Sequence, residues 1–555
     1  MTAGSLVLYV ERLGHEKRVG LWMDGTMRPV ASRVRSPVGN GTSKEQLSPD
    51  EPIRGPFLDW PSRTWQVGDV RQGTPIGVSC GVSVACPSLR VEERFGGLSA
   101  NRVVFGDSLD VAHALLDEGW GRRVDLVYVD PPFASQASYT QETRLDGPAD
   151  GRVLRTRAYE DCWPRRKGPS RRRSGSVGGA NGAAEDGVNA YLDMLAPRLE
   201  AMAQLLAPTG SLWVHLDWRA AYLVRVLLDE IMGRGSFLNE VVWRRAPNLG
   251  RQAASGQFGR TLDTLVVYGG PQARLRPPTR LEPIAPSAIR RDEAGRAFTT
   301  APRGDYTDAS MARLQAEGRV HRTATGRQYV KYFLEPNDKG ELCRERRIDT
   351  LWTDVAPLRH ASIAERTGFP TQKPRALLER IVRCASPEGG TVVDLFAGSG
   401  TTGDAAHALG RRFVLGDCGP VALNATRARL LRAGASFAVE SCGAIVAPAG
   451  PVPEVRVRAG EAGAARVELH EPTEPLAWAI GPKPAVGEPF AATWHSTRHP
   501  GVVPVAALRE GPLPDASLTA TARDPHGAPP AIEVRVYSDD GAVATVSHAV
   551  AEPAT

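Results

Sequence analysis

The 555-residue sequence predicts an α/β fold built on a largely parallel sheet. Three stretches carry that expectation. Residues 124–130, VDLVYVD, are an apolar run with acids at both ends, which suits a buried strand. Residues 391–402, TVVDLFAGSGTT, read as a strand, a glycine turn and the start of a helix. Residues 411–417, RRFVLGD, read as the next strand and end on a carboxylate. In open α/β sheets ligands bind at the carboxyl edge of the strands, which is where these stretches put their polar residues.

Asp130-Pro131-Pro132-Phe133 stops the first strand, because neither proline offers an N–H and each fixes φ near about −65°. The tetrad presents a carboxylate, a carbonyl and an aromatic face. These match a flat heterocycle with an exocyclic amine: Asp130 and the Pro131 carbonyl accept its two N–H bonds, and Phe133 stacks on the ring. Read alone, the four residues favour a proline turn that merely ends a strand. The glycine stretch shifts that balance. Gly398-Ser399-Gly400, between strand and helix, lets a cofactor approach the backbone, and the helix N-terminus offers unpaired N–H groups. The spacing is neither G-x-G-x-x-G nor that of a phosphate loop. Asp417, at its strand tip, either binds ribose hydroxyls or caps the following helix.

Together these residues resemble the site-specific DNA amino-methyltransferases, which use S-adenosyl-L-methionine to methylate adenine N6 or cytosine N4. DPPF comes first, a long middle follows, and FAGSGTT comes late. This is the permuted order of the family's β group, as in modification subunits of restriction systems. Smaller matches are NRVVFGDSL (101–109), TGSLWVHLD (209–217), LWTD (351–354) and GFPTQKP (368–374). The resemblance covers 94–432 and implies a Rossmann-like methyltransferase core. It adds a target-recognition insertion and a small C-terminal β-rich appendage.

By the same resemblance, Asp130, Pro131, Pro132 and Phe133 are the catalytic residues. Asp107, Lys373, Asp394, Phe396, Gly398, Gly400, Thr401 and Asp417 bind S-adenosyl-L-methionine. Asp107 lies near the adenosine moiety, or is only a turn residue; Lys373 lies beside the methionine end, or only solvates a helix N-terminus. The expected partner is double-stranded DNA, whose target base must be flipped out of the stack. A restriction or defence subunit and a homodimer are further expected partners. Asp130 acts electrostatically, favouring positive charge on the amine nitrogen, rather than as a strong base. An Asp before the prolines goes mostly with adenine in this family, so adenine N6 is the expected target and cytosine N4 the alternative. A non-catalytic DNA-binding subunit and an enzyme methylating a protein or metabolite amine are rival readings. Intact Asp130, Phe133, Gly398 and Gly400 argue against the first, and the Arg/aromatic middle region against the second.

Bulk properties agree. The formal charge is +6, but residues 433–555 hold 8 basic and 14 acidic residues, which leaves +12 for residues 1–432. A basic body suits a polyanionic partner. The 7 cysteines (Cys80, Cys86, Cys162, Cys343, Cys384, Cys418, Cys442) show no zinc spacing, so reduced thiols in the cytoplasm and no metal are expected. No apolar run has the length of a membrane span, and no signal peptide is evident.

The chain divides into a β-rich extension (1–93), a catalytic half with DPPF (94–270), a target-recognition region (271–350), a cofactor half (351–432) and the appendage (433–555). Apolar runs at 5–10, 18–23 and 76–85 give the extension its β character. Helices are expected over 111–118, 188–206, 220–232 and 375–385, with strands at 103–105, 211–217 and 239–245. Residues 262–268 are expected to add the last strand of the sheet. Between 162 and 187, six basic residues (Arg165, Arg166, Lys167, Arg171, Arg172, Arg173) precede GSVGGANGAA, a stretch unable to bury a core. It is either a solvated loop or a phosphate contact. His215 and Asp217 invite a catalytic dyad, but direct methyl transfer needs none, so they are assigned structural or base-pocket roles. Period-two runs at 454–458, 466–470, 532–537 and 542–546 give the appendage its strands, with Trp478 and the pair Trp494-His495 as anchors.

Overall fold

The computed structural model describes residues 7–13, 16–23, 26–29, 88–133, 135, 137–144, 153–162, 182–247, 256, 258–443, 449, 454–459, 465–470, 477–485, 487–492, 494–497, 510–512, 531–538 and 541–549. Met1–Arg54 form one unit, in which Val7–Leu13, Glu16–Met23 and Thr26–Pro29 pair as an antiparallel meander. The run at 76–85, Cys80, Cys86 and the basic residues from Arg165 to Arg173 lie outside the described residues.

The second unit, Gly55–Thr555, is organised by an eleven-stranded sheet among its described residues. Its strands are β1 (Leu89–Phe95), β2 (Arg102–Phe105), β3 (Val124–Val129), β4 (Leu206–Leu216), β5 (Phe237–Arg244), β6 (Leu262–Gly269), β7 (Leu351–Trp352), β8 (Thr391–Asp394), β9 (Arg412–Asp417), β10 (Phe437–Cys442) and β11 (Phe490–Ala492). Their order is β7-β5-β6-β4-β3-β8-β9-β2-β10-β1-β11. From β4 to β10 every pairing is parallel. The late strands β8 and β9 insert between the early β3 and β2, with Val392 opposite Leu126 and Leu415 opposite Val103. The DPPF strand and the glycine-loop strand are therefore neighbours, and their carboxyl ends share one edge.

The helices are α1 (Ser108–Leu115), α2 (Gly182–Leu205), α3 (Ala221–Met232), α4 (Asp308–Ala316), α5 (Arg375–Ala385), α6 (Thr401–Ala408) and α7 (Pro420–Arg432). Alternate strand residues face two cores. Val127, Val129, Val393 and Val414 pack with Leu115 of α1, Leu195 of α2 and Val224 of α3. Leu126, Val392 and Leu415 pack with Leu377 of α5, Ala405 of α6 and Leu430 of α7. Burial on both faces explains why β3 and β8 read as continuous apolar runs rather than alternating ones.

One expectation needs correction. Leu262–Gly269 is not the last strand: β5 and the two-residue β7 lie beyond it. β7 is too short to carry a periodic signal.

Residues 271–350 fold as two small antiparallel sheets flanking α4. Thr279–Pro283, Leu342–Arg347 and Glu335–Pro336 form one; Arg290–Arg291, Ala297–Pro302, Gln328–Phe333 and Val320–Arg322 form the other. Towards the C-terminus, strands at Glu454–Ala459, Ala465–His470, Ala531–Tyr537 and Val543–Ala549 occupy the expected period-two runs. Several C-terminal residues enter the core. Ala477, Ala479, Phe490 and Tyr537 pack in the same cluster as α7, and Trp478 is buried; the side chain of Trp494 lies outside the described residues. Beside them, Glu93 of β1 is paired with Arg427 of α7 at 2.9 Å and with Arg535 at 2.9 Å, and accepts the Tyr537 hydroxyl at 3.0 Å. Burial opposes charge on Glu93, but the two guanidiniums overcome it and hold its carboxyl below the usual range. Among the described residues, no helix is long and apolar enough to cross a membrane, and no group of His, Cys, Asp and Glu is arranged to hold a metal ion.

Candidate active site

β3 delivers Asp130 to the carboxyl edge, and the two prolines that follow leave Phe133 as the next backbone donor. The Phe133 and Ser135 N–H groups both donate to Oδ2 of the buried Asp161, at 3.0 and 2.8 Å. Asp161 ends a hairpin, Ala137–Arg144 paired with Val153–Asp161, that the sequence analysis does not anticipate. The same hairpin reaches the 368–374 segment. The Tyr159 hydroxyl lies 2.9 Å from Thr371 Oγ1, its ring stacks on Phe369 at 6.4 Å, and the Glu142 N–H donates to the Gly368 carbonyl.

Lys373 donates to Asp130 Oδ2 and, at 3.3 Å, to the Thr371 carbonyl; its Nζ stands 5.2 Å from the centre of the Phe133 ring. Thr371 has φ 60°, an uncommon conformation for a β-branched residue, which aims that carbonyl at the lysine. Asp130 Oδ1 is buried and has no hydrogen-bond partner. It is an acceptor waiting for a donor.

Behind Phe133 lies His215, with ring centroids 6.2 Å apart and planes 24° from parallel. His215 is fully buried; its Nδ1 is 2.9 Å from the Tyr128 hydroxyl and its Nε2 is 3.2 Å from Asp263 Oδ2. Asp263 is also 2.7 Å from the Arg245 guanidinium. Burial pushes the Asp263 carboxyl up, but the His215 hydrogen bond and nearby positive charge outweigh it and hold it low. Asp217 pairs instead with Arg219. The tempting His215–Asp217 dyad does not exist.

The glycine loop is held from below. Gly398 and Gly400 have φ 52° and 72°, a region open to glycine at no steric cost. The Gly398 N–H donates to Asp417 Oδ2 at 2.9 Å, and its carbonyl accepts the Thr426 hydroxyl at 3.0 Å. Asp417 also accepts the Gly419 N–H at 2.8 Å, and burial raises its carboxyl. Asp394 accepts the Phe396 N–H at 3.0 Å and the Thr402 hydroxyl at 2.6 Å. Burial pushes it up to about 7 despite those donors, with Asp130 and Asp417 adding to the rise.

Between tetrad, loop and hairpin lies a cavity of about 210 Å³. Asp130, Pro132, Lys373, Asp394, Phe396, Gly398, Thr401 and Asp417 line it, with Tyr159 and Phe369. Pro131, Phe133, Gly400 and Asp107 are not in its wall. Pro131 is buried, and Phe133 faces the His215 side. Gly400 is pressed on Thr426: a Cβ there would meet Thr426 Oγ1 at 2.7 Å. Asp107 caps α1, accepting the Leu109 N–H at 2.9 Å, and takes both oxygens to Arg198 at 2.8 and 2.6 Å. Tyr159 lies outside every motif read from the sequence, and Phe369, although within GFPTQKP (368–374), is given no role there; one tyrosine in each polar hairpin strand offers no periodic signal.

Residues 124–426 match the family model of the N6/N4 DNA methylases. The chain is 24% identical over 341 residues to the Type II methyltransferase M.EcaI of Enterobacter cloacae, covering 57% of this chain and 66% of that protein. It is 27% identical over 349 residues to the StyLTI Mod subunit, a Type III restriction-modification enzyme component of Salmonella typhimurium, covering 56% of this chain and 50% of that protein. The chain thus spans between half and just under two thirds of these relatives. The PvuII cytosine-N4-specific DNA methyltransferase structure aligns at 15% identity and a TM-score of 0.33, over 61% of this chain and 89% of that one. The family model spans more than half of the sequence: the chain belongs to the N6/N4 DNA methylase family.

Proposed function

We propose that this chain transfers a methyl group from S-adenosyl-L-methionine to the exocyclic amine of a base flipped out of duplex DNA, with adenine N6 as the target. The observation that carries it is the unpartnered, buried Asp130 Oδ1 at the rim of the glycine-loop cavity. A buried acceptor left unpaired costs about 1–3 kcal/mol, and a substrate N–H recovers it.

The residues fit a cationic cofactor. Gly398 leaves the cavity open where a Cβ would stand 3.1 Å from the Phe369 ring, and Asp130, Asp394 and Asp417 place carboxyl groups in the wall beside Lys373. Gly398, Thr401, Asp394 and Phe396 would hold the cofactor, which when bound would supply an electrophilic methyl group on a sulfonium. Lys373 fixes Asp130 Oδ2, so Oδ1 points at the amine together with the Pro131 carbonyl. Phe133, backed by His215, gives the base a flat face to stack on. Holding the amine in one orientation against Asp130 and Phe133 would remove part of the orientation cost of a bimolecular step. Asp130 would stabilise positive charge developing on nitrogen.

Asp130 before the prolines supports adenine. Purified chain incubated with duplex DNA and labelled cofactor, followed by nucleoside analysis, tests the reading. N6-methyladenine is expected; N4-methylcytosine alone overturns the choice of base, and cofactor turnover without any DNA product overturns the substrate. The likeness to the StyLTI Mod subunit extends the proposal to a restriction subunit as partner, checked by co-purification.

A further inference from the structure

β4 carries His215, the ring behind Phe133, and ends at Leu216 on the active edge. Trp218 follows within three residues, inside about 10 Å of His215 by chain reach. The turn that presents it is fixed: Asp217 accepts the Arg219 N–H at 2.8 Å and pairs with the Arg219 guanidinium. Trp218 is nevertheless 47% exposed, with the guanidinium of Arg260 4.0 Å from the centre of its indole and that of Arg219 at 4.9 Å.

Arg260 comes from the connection between β5 and β6, which rises from the same edge because Thr264 pairs with Leu216. That connection also carries Phe258, 98% exposed, and begins beside the exposed Arg244 and Arg245. The carboxylates of this patch, Asp217 and Asp263, are buried against arginines, so its solvent face is positive. Exposed indole and phenyl rings among guanidiniums suit a partner that offers phosphates and flat bases together.

Resting on the proposed function above, we propose that Trp218, with Arg219 and Arg260, is a stacking platform for the DNA strand next to the base held at Phe133. Withdrawing a base leaves its neighbours without a stacking partner, and a ring beside the pocket replaces that partner. The guanidiniums meet the adjacent phosphates as the base slides onto the indole.

The test uses the full chain, its Trp218→Ala, Trp218→Phe and Arg260→Ala variants, and a labelled mixed-sequence duplex. Trp218→Ala is expected to weaken duplex binding by roughly tenfold or more while cofactor affinity stays unchanged, and Trp218→Phe to retain most of the binding. Arg260→Ala is expected to lower the slope of affinity against salt by about one. Duplex affinity of Trp218→Ala equal to wild type overturns the proposal. So does a Trp218→Ala change confined to self-association in light scattering, which would make the patch a protein interface. A wild-type chain that neither binds duplex nor turns over cofactor in its presence sinks the proposed function instead, so the two failures are distinguishable.

Discussion

Lys373 donates to the carboxylate of Asp130 across 243 residues of sequence, joining the 368–374 segment to the Asp-Pro-Pro-Phe tetrad in a single contact. The contact occupies one oxygen and leaves the other, Oδ1, buried and unpartnered. In the function proposed above, the lysine, expected beside the cofactor's methionine end, would also orient the acceptor for the target amine.

Division of labour follows from that geometry. Asp130→Ala is expected to abolish methyl transfer and leave cofactor affinity within a few-fold. Lys373→Met keeps the side-chain length but frees Asp130, and a misplacement of that kind costs roughly a hundredfold in kcat. Calorimetric titration with cofactor, beside label incorporation into DNA, measures both. Equal loss of cofactor affinity and transfer in Asp130→Ala contradicts the assignment.

The glycine loop gives a second prediction. At Gly398 a side chain meets both a left-handed backbone, costing about 1–2 kcal/mol, and the Phe369 ring at 3.1 Å. Gly398→Val should therefore lose cofactor binding. Gly434, with φ 69° and nothing within 4 Å of its missing Cβ, is the control: Gly434→Ala carries the backbone strain alone and should bind cofactor normally. Loss of binding in both variants would make the effect one of stability rather than of crowding in the cavity.

The parallel core is legible in the sequence because strands buried on both faces, such as 124–129 and 391–394, leave short, non-alternating apolar runs that lead into proline or glycine turns. Helix α5 starts and stops where periodicity places it, at Arg375 and Ala385. What is not legible depends on register. His215 finds its acid in Asp263, which is brought beside it by the pairing of Leu265 with His215. Its near neighbour in sequence, Asp217, turns away to Arg219. The hairpin ending at Asp161 is hidden for another reason: its strands are polar and alternate weakly, so they read as connection rather than structure.

That hairpin supplies the third prediction. Removing the Asp161 carboxylate strands the Phe133 and Ser135 N–H groups, a cost of about 1–3 kcal/mol, and frees the tetrad. Asp161→Ala should lower kcat while the cofactor dissociation constant changes little. Asp161→Asn keeps an acceptor oxygen and should recover part of the rate. A purely structural role would show as lowered melting temperature with rate and cofactor affinity falling together, and no rescue by Asn.

The last prediction concerns pH. Burial lifts Asp394 from the ordinary 3.8 to about 7, against donation from Thr402 and Phe396 and with help from Asp130 and Asp417. Between those two values the folded chain keeps a proton that the unfolded chain has released. The folded state therefore binds more protons, so stability falls as pH rises through that window and levels off above it. This is opposite to a salt-bridged carboxylate, whose contribution is lost as pH falls. Asp394→Asn removes the titration with little change of shape: its carbonyl accepts the Phe396 N–H, and the Thr402 hydroxyl rotates to accept from the amide. The melting temperature of Asp394→Asn relative to wild type should climb as pH is raised from about 5 to about 8, where wild type carries the buried charge. Taking the difference between the two chains cancels the titrating groups that do not interact with Asp394. A difference that stays constant across that range shows that Asp394 does not change its proton occupancy on folding.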